Sequence, residues 1–384
     1  MKIVFHKDIL SAAVTPLMSG VSSKMTIAAT EGILIEASLP NACVMTTYDI
    51  EKGVRVTLEA DVIEAGSAIV SASKLSQIVR VMDGGDITLT VDDRNCATIV
   101  SGRSSHTLTA LPAKDFPEIP RLISSQGFVA SQKIVRGMIA KCMYAMGVND
   151  QRPVLNGLFF SVTGGKLHMV SCDSFKMATC ATQADIYGLD ADLAVEDTRF
   201  ILPNKSVGEL YKLLNDKDEE ATVTVYTSRK NIIFVMGELI FFSKLIEGEY
   251  IDYNRIILRN HRITVFADRE TVISALEHAA LITEEKVAGS VRSHVRLEVQ
   301  GNILKISATS GTGSSYDEVA IGHEGDDLVI AFNNRYLIDS FRACSADRIK
   351  LSMSSPLSSI NIEPSDDDTD AEDLFMLLPV RMKD

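Results

Sequence analysis

Apolar residues recur along this chain with two periods. Alternation of apolar and polar positions marks strands at VRVTLEA, ITLTV, ATIVSG, KLHMVS, TVTVY, NIIFVMG, ILKISA and IKLSM. Apolar residues three and four apart predict helices over 8–18, 132–144 and 269–281, each led in by a short strand: KIVFH, GFVAS and ITVFA. Three further segments, 73–91, 204–225 and 333–353, each start on a polar residue suited to cap a helix. Each runs through about ten residues at helical spacing, breaks at an acidic or small-residue patch, and resumes as an alternating strand. Their apolar positions superpose: Leu75, Ile78, Val79 and Met82 match Val207, Leu210, Tyr211 and Leu214, and then Leu337, Ser340, Phe341 and Cys344. The offset, about 130 residues, is too long for a solenoid repeat, so the pattern predicts three repeated domains. Two helices and about eight strands per copy describe an α+β fold with helices on one face of antiparallel sheets. The connectors KDFPEIPRLISSQ and GEYIDYNRIILRNHR set the expected domains at 1–121, 128–250 and 260–384.

Composition narrows the function classes. The chain has 384 residues, 46% hydrophobic and 23% charged, which suits large buried cores and excludes a disordered chain. Without a long apolar run or a signal-type start, it is expected in the cytoplasm. Six cysteines without any CxxC pair suggest neither zinc nor disulfides. No Gly-rich phosphate loop with its Lys, no HExxH helix and no GxSxG elbow is found, and the seven histidines are mutually distant. The expectation is therefore no enzyme, no catalytic residue, no metal and no cofactor. The competing class, a hydrolase assembled around Asp173 and Ser174, is separated by ester and nucleotide hydrolysis assays. Net charge is −13, which argues against a nucleic-acid partner until its distribution is read. Asp366, Asp367, Asp368, Asp370, Glu372 and Asp373 share one segment; it lacks the Gly and spaced ligands of a calcium loop and reads as solvated.

The segments SGRSSHTLTALPAKDFPEIP, RPVLNGLFF, CDSFKMA, FFSKLIEGEYIDYNR, AFNNRYL and LLPVRM occur in the order and spacing of a known family. The whole chain resembles the bacterial DNA sliding clamp, the beta subunit of the replicative DNA polymerase. The resemblance implies three clamp-type domains per chain and a head-to-tail homodimer closing into a six-domain ring, with helices lining the hole. It implies a processivity factor that encircles duplex DNA without sequence preference and holds a polymerase and a clamp loader through short peptide motifs. A divergent accessory clamp, or a three-repeat scaffold without DNA, stands as the alternative. The family's peptide pocket maps onto Arg152, Leu155, Cys172, Ser174, Phe175, Lys176, Met177, Ile251, Arg255, Ile256, Ser359, Met376, Leu378, Pro379, Val380 and Arg381. Here CDSFKMA stands where the family commonly reads TDGHRLA, and Ile251 stands where it has proline.

A sliding ring must attract phosphates without reading bases. One slot of the second helix holds Arg80, Lys212 and Arg342 in the three copies; the slot seven residues earlier holds Ser73, Lys205 and Arg335, on the same helix face. Lys74 partly replaces the charge missing at Ser73. The first helix of copy two adds Lys133, Arg136 and Lys141, whereas that of copy three holds Glu277 and His278. The resemblance adds Lys24 as a basic DNA contact. For any one of these residues, solubility of an exposed helix face is the competing explanation.

Overall fold

The structure, a computed structural model, describes residues 1–22, 27–120, 125–183, 185–190, 195, 197–283, 294–311, 313–365 and 372–382. Lys24 and the acidic run 366–370 lie outside the described residues. Six helices are described: α1 (Lys7–Leu17), α2 (Ala72–Val81), α3 (Gln132–Cys142), α4 (Asn204–Leu213), α5 (Arg269–Thr283) and α6 (Asn334–Ala343). They fall where the helical spacing predicts, two per repeat. Of the twelve superposed positions, eleven are buried and Tyr211 is half-buried, so the three copies turn the same stripe inward.

The described strands form four antiparallel sheets of ten, nine, five and four strands. Two of these sheets run through repeat boundaries. The strand Leu239–Lys244 pairs with Lys52–Glu59, placing Phe241 opposite Val54. The strand Leu374–Leu377 pairs with Lys176–Thr182, placing Met376 opposite Met177. Packing therefore groups the chain into two compact units that divide the middle repeat: residues 1–133, 187–196 and 209–245 in one, 134–186, 197–208 and 246–384 in the other. In the first unit α1 packs on α2 and on the Lys52–Glu59 strand; in the second α5 packs on α6 and on the Ile303–Thr309 and Ser314–Ala320 strands.

Gly53 shows how tightly the first junction is built. A Cβ there would sit 2.3 Å from the Phe242 ring and 2.6 Å from the Thr47 carbonyl, and the Phe242 ring also packs on Tyr48 at 5.5 Å. The matching pair at the second junction is Met177 and Met376, two side chains that adapt to their neighbours. Gly53→Ala is expected to cost about 1–3 kcal/mol through overpacking, read as a lower urea midpoint at unchanged slope.

Candidate partner pocket and nucleic-acid interface

The CDSFKMA segment is the turn joining the strands Lys166–Cys172 and Lys176–Thr182. Asp173 makes this turn. Its Oδ1 accepts from the backbone N–H of Phe175 at 2.7 Å and of Lys176 at 2.8 Å, and its Oδ2 pairs with the Lys176 ammonium. The same device recurs in TYDIEKG, where Asp49 Oδ1 accepts from Glu51 and Lys52 and Lys52 Nζ pairs with Asp49 at 3.0 Å. With both turn charges satisfied internally, Lys176 lies buried, its Nζ 4.5 Å from the centre of the Tyr336 ring. Phe175 is pushed outward, 56% exposed, its ring 6.3 Å from Tyr336. Tyr336 is held in the first turn of α6, where its N–H donates to the capping Asn333 side chain.

Beneath the turn lies an apolar floor. Leu155, Val170, Cys172, Met177 and Met376 form one buried cluster, against which Val154, Phe159, Tyr250, Ile251, Tyr253, Ile257 and Leu374 pack. Phe159 and Tyr250 stack at 4.8 Å. Chain-distant Met376 reaches the floor through its strand pairing, and the tail beyond it is fixed by two backbone bonds, Leu378 N–H to Phe175 O at 2.9 Å and Val380 N–H to Ala331 O at 2.7 Å. At the rim, Arg152 pairs with Asp150 at 3.1 Å and donates to Ser174 Oγ at 3.0 Å, and Arg255 pairs with Asp252 at 2.9 Å. The hydrogen bond from Arg152 holds the Asp150 carboxyl below the usual range. Ile256, Leu378, Val380 and Arg381 are exposed, Pro379 is half-buried, and Ser359 is buried just before the Ile360–Pro364 strand. Tyr336, Tyr250, Tyr253 and Asp150 join the site beyond the residues that the sequence singles out, and Asp173, absent from the residues that the resemblance assigns to the pocket, joins them. A signal for Asp173 was legible, because an Asp three residues before Lys recurs at the matching turn of repeat one.

The pocket holds no activated thiol among its described residues. Burial, helped by the Asp173 charge, pushes the Cys172 thiol from 9.0 up to about 11. The fold favours the neutral thiol, so its contribution to stability is full below pH 9 and is lost as pH rises through about 11. Alkylation of Cys172 by iodoacetamide, followed by peptide mass mapping, is expected to be slow at pH 8 and to rise about tenfold per pH unit toward that value.

The predicted cations divide into two groups. Lys74, Arg80, Lys205 and Arg335 are exposed, and no ion pair engages them among the described residues. The others mostly face carboxylates: Lys133 to Glu219 at 2.5 Å, Lys212 to Glu209 at 3.1 Å and Arg342 to Glu277 at 2.5 Å. Lys141 bonds Asp373 at 2.7 Å, a carboxylate whose side chain is 2% exposed; its charge is cancelled within the fold and not displayed on the helix. Arg136 is half-buried.

Three family models match in chain order: DNA polymerase III beta subunit, N-terminal domain, over residues 1–120; central domain over 128–252; C-terminal domain over 254–379. The chain belongs to the DNA polymerase III beta subunit family. Among curated relatives, it is 31% identical to the beta sliding clamp of Pseudomonas aeruginosa over 340 residues, 88% of each chain. It is 30% identical to that of Vibrio cholerae, covering 89% of each. A crystal structure of the Pseudomonas aeruginosa DNA polymerase sliding clamp with ligand superposes over all of both chains with TM-score 0.89 and 26% identity. The sliding clamp of Bacillus subtilis shares the fold at TM-score 0.91 and 23% identity, again over all of both chains. No described helix is long and apolar enough to cross a membrane.

Proposed function

We propose that this chain is a DNA sliding clamp that encircles duplex DNA and tethers the replicative polymerase and clamp loader through the pocket at Phe175 and Leu378. The observation that carries this reading is the pocket itself: a buried floor of Leu155, Cys172, Met177 and Met376 under an open, largely apolar rim of Phe175, Ile256, Leu378 and Val380. An apolar linear motif finds its anchors there, while Arg152, Arg255 and Arg381 face its polar ends. The protein makes and breaks no bond; it acts in the cytoplasm, where its DNA is, by topology and tethering. Domains at 1–121, 128–250 and 260–384 each supply two helices.

The head-to-tail homodimer finds its seam in two unlike sheet edges. Ser104–Thr109 ends the five-stranded sheet and Ser314–Ala320 ends the four-stranded one, both mostly exposed along their length. Unlike edges on one chain give a heterologous contact that closes only between copies. Arg103 flanks the first edge, and Asp317 and Glu318 lie in the second, so the edges carry opposite charge. Sedimentation is expected to show a dimer at micromolar concentration. The decisive experiment is retention on a nicked DNA circle after loading: the protein should stay on the circle and run off once it is linearised. Equal retention on linear DNA with free ends would replace topological linkage by ordinary electrostatic binding.

A further inference from the structure

A second apolar groove opens in the first unit, far in sequence from the pocket at Phe175. It encloses about 510 Å³ between Ile9, Ala12, Ala13 and Pro16 of α1, the end of the Lys52–Glu59 strand, and Met236, Glu238 and Leu239 of the hairpin that leads into Leu239–Lys244. That volume suits one or two side chains of a ligand. The lining is mostly apolar, and Glu59 and Glu238 supply its carboxylates.

The middle repeat shows what this place holds when it is filled from within. Phe242 faces Gly53 as Met376 faces Met177, so Glu238 corresponds to Glu372; counting from the helix and strand starts, Pro16 corresponds to Lys141 and Ala42 to Lys166. A cross-strand backbone bond joins the corresponding residue pair in each copy with the donor reversed, Thr57 N–H to Glu238 O in one and Glu372 N–H to Ala181 O in the other. In the middle repeat Lys166 pairs with Glu372 at 2.7 Å and Lys141 with Asp373 at 2.7 Å, so two ammonium groups satisfy the acidic pair. In the first repeat both lysine positions are apolar, Pro16 and Ala42, and Leu239 stands where Asp373 does, so of the acidic pair only the carboxylate of Glu238 is kept, without the counterpart of Lys166. Neither Glu59 nor Glu238 has an ion-pair partner among the described residues.

We infer that this groove docks a short basic and apolar segment of a partner protein, seating an apolar side chain against Ile9, Ala12 and Pro16 and a lysine or arginine at Glu238 and Glu59. The partner's cation takes the role that Lys166 plays internally in the middle repeat, opposite Glu372. The small residues of α1 and the short hairpin leave the space for the apolar anchor, and the carboxylates set the sign of its neighbour.

The test uses the full chain carrying ¹³C-methyl Ile and Met, titrated by NMR to roughly millimolar concentration, where weak peptide affinities are still read. The probes are an acetylated, amidated peptide alternating leucine with lysine and its leucine–glutamate counterpart. The lysine peptide is expected to shift the Ile9 and Met236 methyls saturably and the glutamate peptide to leave them in place. Glu59→Gln with Glu238→Gln, both on exposed side chains, should weaken the lysine peptide at least fivefold, and Ala12→Phe should remove the shifts by filling the groove. The inference is overturned by any of four results: no shift, equal shifts with both peptides, shifts confined to the Met177 and Met376 methyls, or Ile9 and Met236 shifts that follow protein concentration without peptide, which would mark a second copy as occupant. Should Ala12→Phe fail to fold, the glutamine pair alone decides.

Discussion

Truncation after Leu377 is expected to weaken binding of a fluorescent apolar polymerase-type peptide at least a hundredfold, about 2.7 kcal/mol, while the thermal midpoint stays nearly unchanged. The reason lies in a division within the terminal LLPVRM segment. Leu378 and Val380 are 43% and 37% exposed, held by one backbone bond each, to Phe175 and to Ala331, and by no buried side chain of their own. Met376 and Leu377 are 3% and 0% exposed, in a four-residue strand between Lys176–Thr182 and Ile360–Pro364. The residues that the resemblance assigns to the pocket here are thus of two kinds: a deletion starting at Met376 cuts a central strand and is expected to cost about 3–5 kcal/mol of stability as well as binding. Anisotropy titrations and thermal melts of the two truncations separate the effects. A peptide affinity unchanged after truncation at Leu377 would place the motif somewhere else, and Phe175→Ala, a change at an exposed ring, serves as an independent probe of the same rim.

Neutralising Arg80, Lys205 and Arg335 together is expected to lower DNA retention at physiological salt at least tenfold and to flatten the dependence of log K on log salt by about one unit for each phosphate no longer neutralised. Dimerisation and unfolding should not change, because all three side chains are exposed. Neutralising Lys212 and Arg342 should do less. Each already faces a carboxylate, Glu209 and Glu277, so each presents a near-neutral pair to a phosphate and releases fewer counterions. Recurrence in the repeats cannot make this distinction, since Arg80, Lys212 and Arg342 occupy one slot and look equivalent. Measuring loading on nicked circles at several salt concentrations checks it; equal effects from the two sets would show that the ion pairs open on DNA.

Much of the site was legible residue by residue, and what was not legible has identifiable causes. Leu155, Cys172, Met177 and Met376, which the resemblance assigns to the pocket, share one floor, and Phe175 and Lys176 meet their neighbours at one turn. Tyr336 is silent in the sequence because its contact with Lys176 and Phe175 joins α6 to a turn some 160 residues earlier, and nothing local in AFNNRYL announces it. Lys141 reads as a helix-surface cation because its partner Asp373 is more distant still and belongs to a segment whose composition suggests solvent. Buried ion pairs between distant segments leave no periodic trace.

The sequence by itself determined the three repeats, the two helices of each, and the inward stripe at Leu75, Leu210 and Leu337, because local spacing and burial on one helix face are the same physical fact. The turn at Asp173 also has a local mark, since an Asp three residues before a Lys between two alternating runs recurs at Asp49 and Lys52, and in both places the carboxylate bonds the turn's own N–H groups and the lysine. Only the tertiary structure decided how the repeats share their sheets, through Phe241 opposite Val54 and Met376 opposite Met177, and hence which end of the terminal segment is core and which is rim. It alone decided which basic residues face a carboxylate of the chain itself. Strand partners and ion-pair partners are chosen by proximity in space, and proximity between residues far apart in sequence is a property of the folded chain, not of any window along it.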